Sequence, residues 1–209
     1  MKKEGQGAKK EEVDGFLFLG NHLALDLVNT RIIPERDSVE LLPDTVALER
    51  WLLAAGLVTS TNGARLLRRW RDSAEAQSFL EELRRFRERL RAVVIQREAG
   101  EGVSARFLAE LNRLLEKYPT RIALSAAGGK LQREVLFEPA TPAEVWAPIA
   151  AATADLLTEV DPSRIRKCES CIMHFYDVSK KSSRRWCSMN ICGNRVKVAA
   201  YRQRQRADG

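Results

Sequence analysis

The chain has 209 residues, of which 44% are hydrophobic and 30% charged, with a net charge of +7. That apolar content suffices for a core and excludes a wholly disordered polymer. The longest apolar run, 51–58, is far short of the roughly 20 residues a membrane span needs. The first fifteen residues are charged and carry no apolar stretch, so no secretory signal is expected. A cytoplasmic protein follows, and in that compartment structural disulfides are rare.

In chain order the pattern is mostly helical. Asp44 is placed to cap a helix carrying Val46, Leu48, Trp51 and Leu52, closed by Gly56. Thr59 or Ser60 starts another, with Leu66, Leu67 and Trp70. From Ala74 the apolar residues Phe79, Leu83, Phe86, Leu90 and Val93 are spaced four, three, four, three, the seam of a long amphipathic helix. Such a seam belongs to a core first and to a dimer interface second. Ser104 caps a further helix with Phe107, Leu108, Leu111, Leu114 and Leu115, and Pro119 lies beyond it. Segment 121–138 alternates around Gly128-Gly129 and reads as a β-hairpin. Thr141-Pro142-Ala143-Glu144 is a capping box opening a helix with Val145, Trp146, Ile149, Thr153, Leu156 and Leu157. The expected class is mainly α with a small β-hairpin (α+β). A helical domain at 14–160 ends near Asp161-Pro162-Ser163.

The C-terminal part differs in kind. From 164 to 206 there are twelve Lys or Arg against two acids, Glu169 and Asp177, a charge of +10. The rest holds 23 basic and 26 acidic residues, or −3. Such asymmetry points to a polyanion partner, most often nucleic acid. All four cysteines lie in this basic segment, at Cys168, Cys171, Cys187 and Cys192. Their spacing is C-x2-C, fifteen residues, then C-x4-C, which fits one structural Zn2+ held by four thiolates with no open position. A module this small, 164–207, has too little core to hold itself without metal. A disulfide pair, a redox C-x-x-C and an iron–sulfur cluster fit the spacing and context less well. His174, three residues after Cys171, is read as packing or a phosphate contact, because four cysteines already fill a tetrahedron.

Two stretches carry a resemblance. Ser183-Arg184-Arg185-Trp186-Cys187-Ser188-Met189, followed by Cys192-Gly193-Asn194-Arg195 and then Lys197, Tyr201, Arg202 and Arg204, resembles the CGNR zinc finger. Gly20-Asn21 and Leu23-Ala24-Leu25-Asp26-Leu27-Val28-Asn29-Thr30 are similar to the opening motif of the ABATE domain, which precedes that finger in bacterial proteins described as stress-induced transcription regulators. The resemblance covers nearly the whole chain. It implies a DNA-binding regulator built from an ABATE-like helical domain and a treble-clef-like or similar four-cysteine zinc finger.

The residues give their own argument for nucleic acid. On a helix after Cys192, Arg195, Arg202 and Arg206 share one arc, and Lys197 and Arg204 lie nearly opposite. Val196, Ala199 and Ala200 fall between them, a stripe expected to pack on the zinc knuckle. Arg184 and Arg185, just before the second cysteine pair, complete the expected contact set. About six phosphate contacts would give a salt slope near −5. Trp186 is read as finger core ahead of a base-stacking ring, and Asn194 as a helix cap ahead of an adenine reader. RNA is the alternative polymer. An acidic protein partner is the alternative to both.

In the helical domain Asn21, Asp26, Asn29 and Thr30 are polar groups in an apolar stretch. They suit either a small-molecule effector site or caps and buried hydrogen bonds that fix the chain. The domain's expected role is to sense a ligand or to form a homodimer. No nucleophile elbow, P-loop, dinucleotide-binding glycine pattern or zinc-protease motif is present, so no enzyme is expected.

Overall fold

The computed structural model describes residues 11–32, 39–127 and 129–207. Seven α-helices and eight short strands follow one another among them. The strands form four separate antiparallel pairs rather than one sheet. They are β1 (Glu12–Val13) with β2 (Phe16–Leu17), β3 (Arg31–Ile32) with β4 (Val39–Glu40), β5 (Arg121–Ala127) with β6 (Lys130–Leu136), and β7 (Ile165–Lys167) with β8 (His174–Tyr176). The alternation in 121–138 made only β5–β6 legible in the sequence. Two-residue strands are too short to show a period.

The helices are α1 (Leu23–Val28), α2 (Thr45–Ala54), α3 (Thr61–Trp70), α4 (Ala74–Glu98), α5 (Ala105–Lys117), α6 (Trp146–Thr158) and α7 (Asn194–Ala207). Their starts follow the capping residues. The Asp44 carboxylate accepts from Ala47 N at 2.8 Å, and the hydroxyls of Ser60, Ser73 and Ser104 accept from Gly63, Ala76 and Phe107. Of the two candidates for α3, the cap is Ser60. Gly56 ends α2 with φ +69, a left-handed turn that glycine adopts without strain. Thr141 and Glu144 form their capping box, and the turn they open, Pro142–Val145, runs straight into α6.

The seam of α4 is core, not a dimer interface. Phe79, Leu83, Phe86, Leu90 and Val93 are all buried. Phe86 meets Trp146 edge-on at 5.1 Å and stacks against Phe107 at 5.7 Å, so α4, α5 and α6 share one aromatic cluster. The same helix carries two buried arginines. Arg87 donates to Thr30 Oγ1 at 3.0 Å and pairs with both Glu40 oxygens, at 2.7 and 2.5 Å. Arg91 donates to the carbonyls of Val28 and Arg31. Together they hold the end of α1 and the β3–β4 pair against α4.

A second, smaller core lies beside the first. It contains Cys168, Met173, Phe175, Cys187 and Cys192, with Cys171 and Trp186 at its edge. Leu17 and Leu19, from the other end of the chain, complete it. They are delivered by the β1–β2 turn, where Asp14 (φ +53) and Gly15 (φ +80) form a tight hairpin connection clamped by Arg50 on Asp14. Among the described residues no helix is long and apolar enough to cross a membrane.

Candidate metal centre and basic surface

The four cysteine sulfurs come within 4.8 Å of one another. None is in a disulfide. Cys171 Sγ lies 3.6 Å from Cys187 Sγ, which lies 3.6 Å from Cys192 Sγ. Four sulfurs bound to one zinc at about 2.3 Å sit about 3.8 Å apart along each edge of the tetrahedron. The spacing therefore matches a closed structural zinc centre. A hydrogen bond from Cys187 pulls the Cys171 thiol down to about 5. The same bond, with burial, pushes Cys187 up. Burial pushes Cys192 up to about 11. Crowded thiols resist a second charge, and a dication is what lets all four ionise together.

Local chemistry explains the arrangement. Cys168 N donates to Met173 O across the knuckle, so the first pair turns tightly around one point. At Gly193, which follows the last ligand, a Cβ would lie 2.3 Å from Met189 Sδ and 3.3 Å from the Trp186 ring, so a larger residue would have to displace the exposed Met189 side chain. Ser188 starts the turn Met189–Gly193 by accepting from Ile191 N, and its hydroxyl donates to Glu11 at 2.8 Å. Cys192 thus sits just ahead of α7, at the mouth of the helix.

The basic residues divide into two groups. Arg184 is turned inward. Its guanidinium donates to Trp186 O at 3.0 Å and to Cys187 O, and lies 5.0 Å from the Phe175 ring centre. Arg195 spans the two halves of the knuckle, donating to Ser170 O at 2.5 Å and to Ser170 Oγ at 3.0 Å. Both brace the loops that bear the ligands. Arg185 is exposed, pairs with Glu169 at 2.5 Å and covers the Trp186 ring. Lys197, Arg202 and Arg204 stand exposed along α7. Arg206 is also on α7, and its side chain lies outside the described residues.

One expectation about α7 is overturned. The stripe of Val196, Ala199 and Ala200 does not pack on the knuckle: all three are exposed, as are the other described side chains of α7. The knuckle fills its own apolar side with Leu17, Leu19, Met173 and Trp186, which leaves no face for the helix. Trp186 is half-buried and packs against the edge of the finger core.

The polar residues of the opening motif are engaged within the protein. Asp26 accepts from Gly20 N at 2.8 Å. A Cβ on Gly20 would meet Asp26 N at 2.9 Å, so the motif needs its glycine. Asn21, at φ +56, donates from its amide to Tyr176 O at 2.9 Å, and Tyr176 N donates to Gly20 O. Asn29 donates to His174 O at 2.9 Å and accepts from His174 N at 3.0 Å. Thr30 Oγ1 donates to Leu27 O and accepts from Arg87. Gly20, Asn21 and Asn29 together form the seat on which β8 of the finger rests.

His174 takes no part in the cysteine cluster. It is buried, with Nε2 3.5 Å from Glu98 at the end of α4, and burial holds its pKa below the ordinary histidine value. Glu98 also accepts from Lys167 N at 2.7 Å. His22 caps α1, its Nδ1 accepting from Ala24 N. Sequence reasoning missed Asp177, which is fully buried. Its carboxylate accepts from the backbone N–H of Ser179 and of Arg184, fixing the loop before the second cysteine pair.

Comparison with family models gives two matches. Residues 21–160 match ABATE, described as "Putative stress-induced transcription regulator". Residues 164–205 match the CGNR zinc finger. No curated protein matches the chain.

Proposed function

The chain belongs to the ABATE family and ends in a CGNR zinc finger, and from that premise we propose that it is a zinc-dependent DNA-binding transcription regulator rather than an enzyme. The observation that carries the reading is the joint placement of the four-cysteine centre and α7. The metal site fixes the root of a helix that leaves the body of the protein bearing Lys197, Arg202 and Arg204 with no acid among its residues. A zinc carrying four thiolates adds −2, so the module stays at about +8. Arg185 beside the knuckle extends the cationic surface, while Arg184 and Arg195 serve it from behind.

The helical domain has the role of joining two copies. In β5–β6, Ile122 pairs with Val135 and Ala126 with Leu131, so these side chains share one face with Leu124. Leu124 and Leu131 are 73% and 79% exposed. A lone hairpin is marginal in water, and the same face on a second copy would cover these apolar side chains. Asn21, Asp26, Asn29 and Thr30 are hydrogen-bonded to groups of the protein itself, so a dimer fits this domain better than an effector bound there.

The test is duplex binding by zinc-loaded protein across a salt series, with the mass of the free protein measured by light scattering. Four phosphate contacts, from Arg185, Lys197, Arg202 and Arg204, predict a slope of log K against log salt near −3.6 per finger. No binding to duplex DNA at low salt overturns the reading. Tighter binding to RNA of the same length moves it to the RNA alternative.

A further inference from the structure

The exposed side of α7 has an order that charge alone does not require. Asn194, Val198, Tyr201 and Gln205 are spaced four, three, four, which gathers them into an arc of about 60°. Val198 is 47% and Tyr201 58% exposed, although both are apolar or aromatic. Arg195 and Arg202 flank this arc on one side at about 80°, and Lys197 and Arg204 on the other at a similar angle. Five cations and no acid lie on the helix. A 14-residue helix is marginal in water without a surface to pack on, and the described side chains of α7 are all exposed, with Arg195 bonded to Ser170 near its root.

We propose, building on the DNA-binding reading above, that α7 is a recognition helix lying in the major groove of duplex DNA. Val198, Tyr201 and Gln205 read base edges, while Arg202 on one side and Lys197 and Arg204 on the other hold the phosphates of the opposite groove walls. The shape fits the occupant. A helix with its side chains is about 10–12 Å across, the width of the major groove is about 12 Å, and two cationic rows on either side of an uncharged strip match a groove with a phosphate wall on each side. An acidic protein surface would offer no reason for the strip between the rows to be uncharged and in part apolar. The chemistry of the strip names the bases. Val198 and the Tyr201 ring suit the thymine methyl, and the Gln205 amide pairs with adenine through N6 and N7. From Asn194 to Gln205 the strip is about 16 Å long, which covers four to five base pairs at about 3.4 Å each. The site is therefore a short one containing A·T pairs.

The test is in-vitro selection from a random duplex pool with the full-length zinc protein. It is repeated with Val198→Ala, Tyr201→Ala, Gln205→Ala and their triple combination, and with Lys197→Ala and Arg204→Ala. All these side chains are exposed, and zinc content and far-UV circular dichroism verify the fold. The wild type is expected to enrich one motif of four to five base pairs containing A·T. Each strip variant loses preference at its own position, by about 5- to 150-fold against the best wrong base, with affinity for the unselected pool unchanged within about twofold. Lys197→Ala and Arg204→Ala instead weaken every sequence alike and reduce the salt slope by about 0.9 each. A triple variant that selects the wild-type motif overturns the assignment of the strip while leaving DNA binding intact. So does a wild type that binds duplex with no preference. A wild type that binds no duplex removes the DNA-binding reading and this inference together.

Discussion

The side-chain amide of Asn29 makes two hydrogen bonds to the backbone of a single residue, His174, 145 positions away. It donates to His174 O at 2.9 Å and accepts from His174 N at 3.0 Å. An amide side chain here replaces the neighbouring strand that β8 lacks on that side. Earlier in the chain Gly20 and Asn21 do the same for Tyr176 with a backbone carbonyl and a second amide. The opening motif of the ABATE domain is thus the docking edge of the zinc finger. The finger's orientation, and with it the direction of α7, is set by the helical domain.

Asn29→Ala removes both partners of a buried N–H and a buried C=O. Each group left unsatisfied costs about 1–3 kcal/mol, so a loss of about 2–6 kcal/mol is expected in urea unfolding. Amide exchange at 174–176 should accelerate, while exchange in the middle of α4 changes less. Equal acceleration everywhere would mean that the pair contributes only to global stability and not to holding the finger in place. Asn29→Asp keeps the acceptor, loses the donor and sets a carboxylate against His174 O, so it should be no better than alanine.

Arg184 and Arg185 are neighbours in sequence with opposite assignments in space. Arg184→Ala removes donors from the carbonyls of Trp186 and Cys187 and uncovers the Phe175 ring. Hydrogen bonds to charged groups contribute about 1.5–3 kcal/mol each. The variant should therefore lose zinc to a chelator at least about tenfold faster than the wild type. Arg185→Ala should keep wild-type zinc release and lower the salt slope of DNA binding. Similar zinc release from the two variants would show that the inward guanidinium does not support the metal loops.

These contrasts mark what was legible in the sequence. The helices from α2 onward could be read because apolar residues recur at helical spacing and Asp or Ser stands at the start of most of them, whereas the six-residue α1, capped by His22, is too short to show a period. The zinc ligands could be read because paired cysteines in a basic segment have few other uses. The role of Arg184 could not be read, since a run of Ser-Arg-Arg-Trp shows charge but not which arginine a loop turns inward. The contribution of Leu17 and Leu19 to the finger core was hidden for another reason: contacts between chain ends leave no local period. The freedom of α7 was missed because a stripe of Val196, Ala199 and Ala200 looks the same whether it packs on the knuckle or faces outward. What decided the matter was that the knuckle's apolar side was already covered.

The Glu40–Arg87 pair gives an acid-dependent signature. Burial alone would raise the Glu40 pKa, but the hydrogen bond from Arg87, with help from Leu42 N, outweighs it and holds the carboxyl below its ordinary value of 4.5. A depressed folded pKa stabilises the protein above the unfolded value, and that contribution is lost as pH falls through the folded one. Glu40→Gln leaves the Arg87 guanidinium, 2% exposed, with Glu88 as its remaining anionic partner. Losing a charge-assisted hydrogen bond of this kind costs about 1.5–3 kcal/mol. The urea midpoint of the variant should therefore lie well below that of the wild type at neutral pH. The gap should begin to narrow as pH falls below the ordinary carboxyl value of 4.5 and close only below the lower folded pKa, where the wild-type carboxyl is itself protonated. A gap that stays constant with pH would assign the loss to packing instead of the ion pair.

Zinc removal separates the two cores. Structural zinc contributes on the order of 10–16 kcal/mol in small fingers, more than the few apolar side chains of the knuckle can replace. Chelation should release about one zinc per chain and expose four reactive thiols. It should also release Leu17 and Leu19 from their contacts with Phe175 and the cysteines. The cluster built on Phe86, Phe107 and Trp146 has its own cap-bounded helices and contains no ligand, so α4–α6 should stay folded. The expected record is loss of protection at 165–176 and throughout α7, with one cooperative melt retained for the helical domain. Cys187→Ser should give the same record without chelator. If the metal-free protein instead keeps protection at 165–176, the finger is held by its seat on Gly20, Asn21 and Asn29, and zinc does no more than order the cysteine loops.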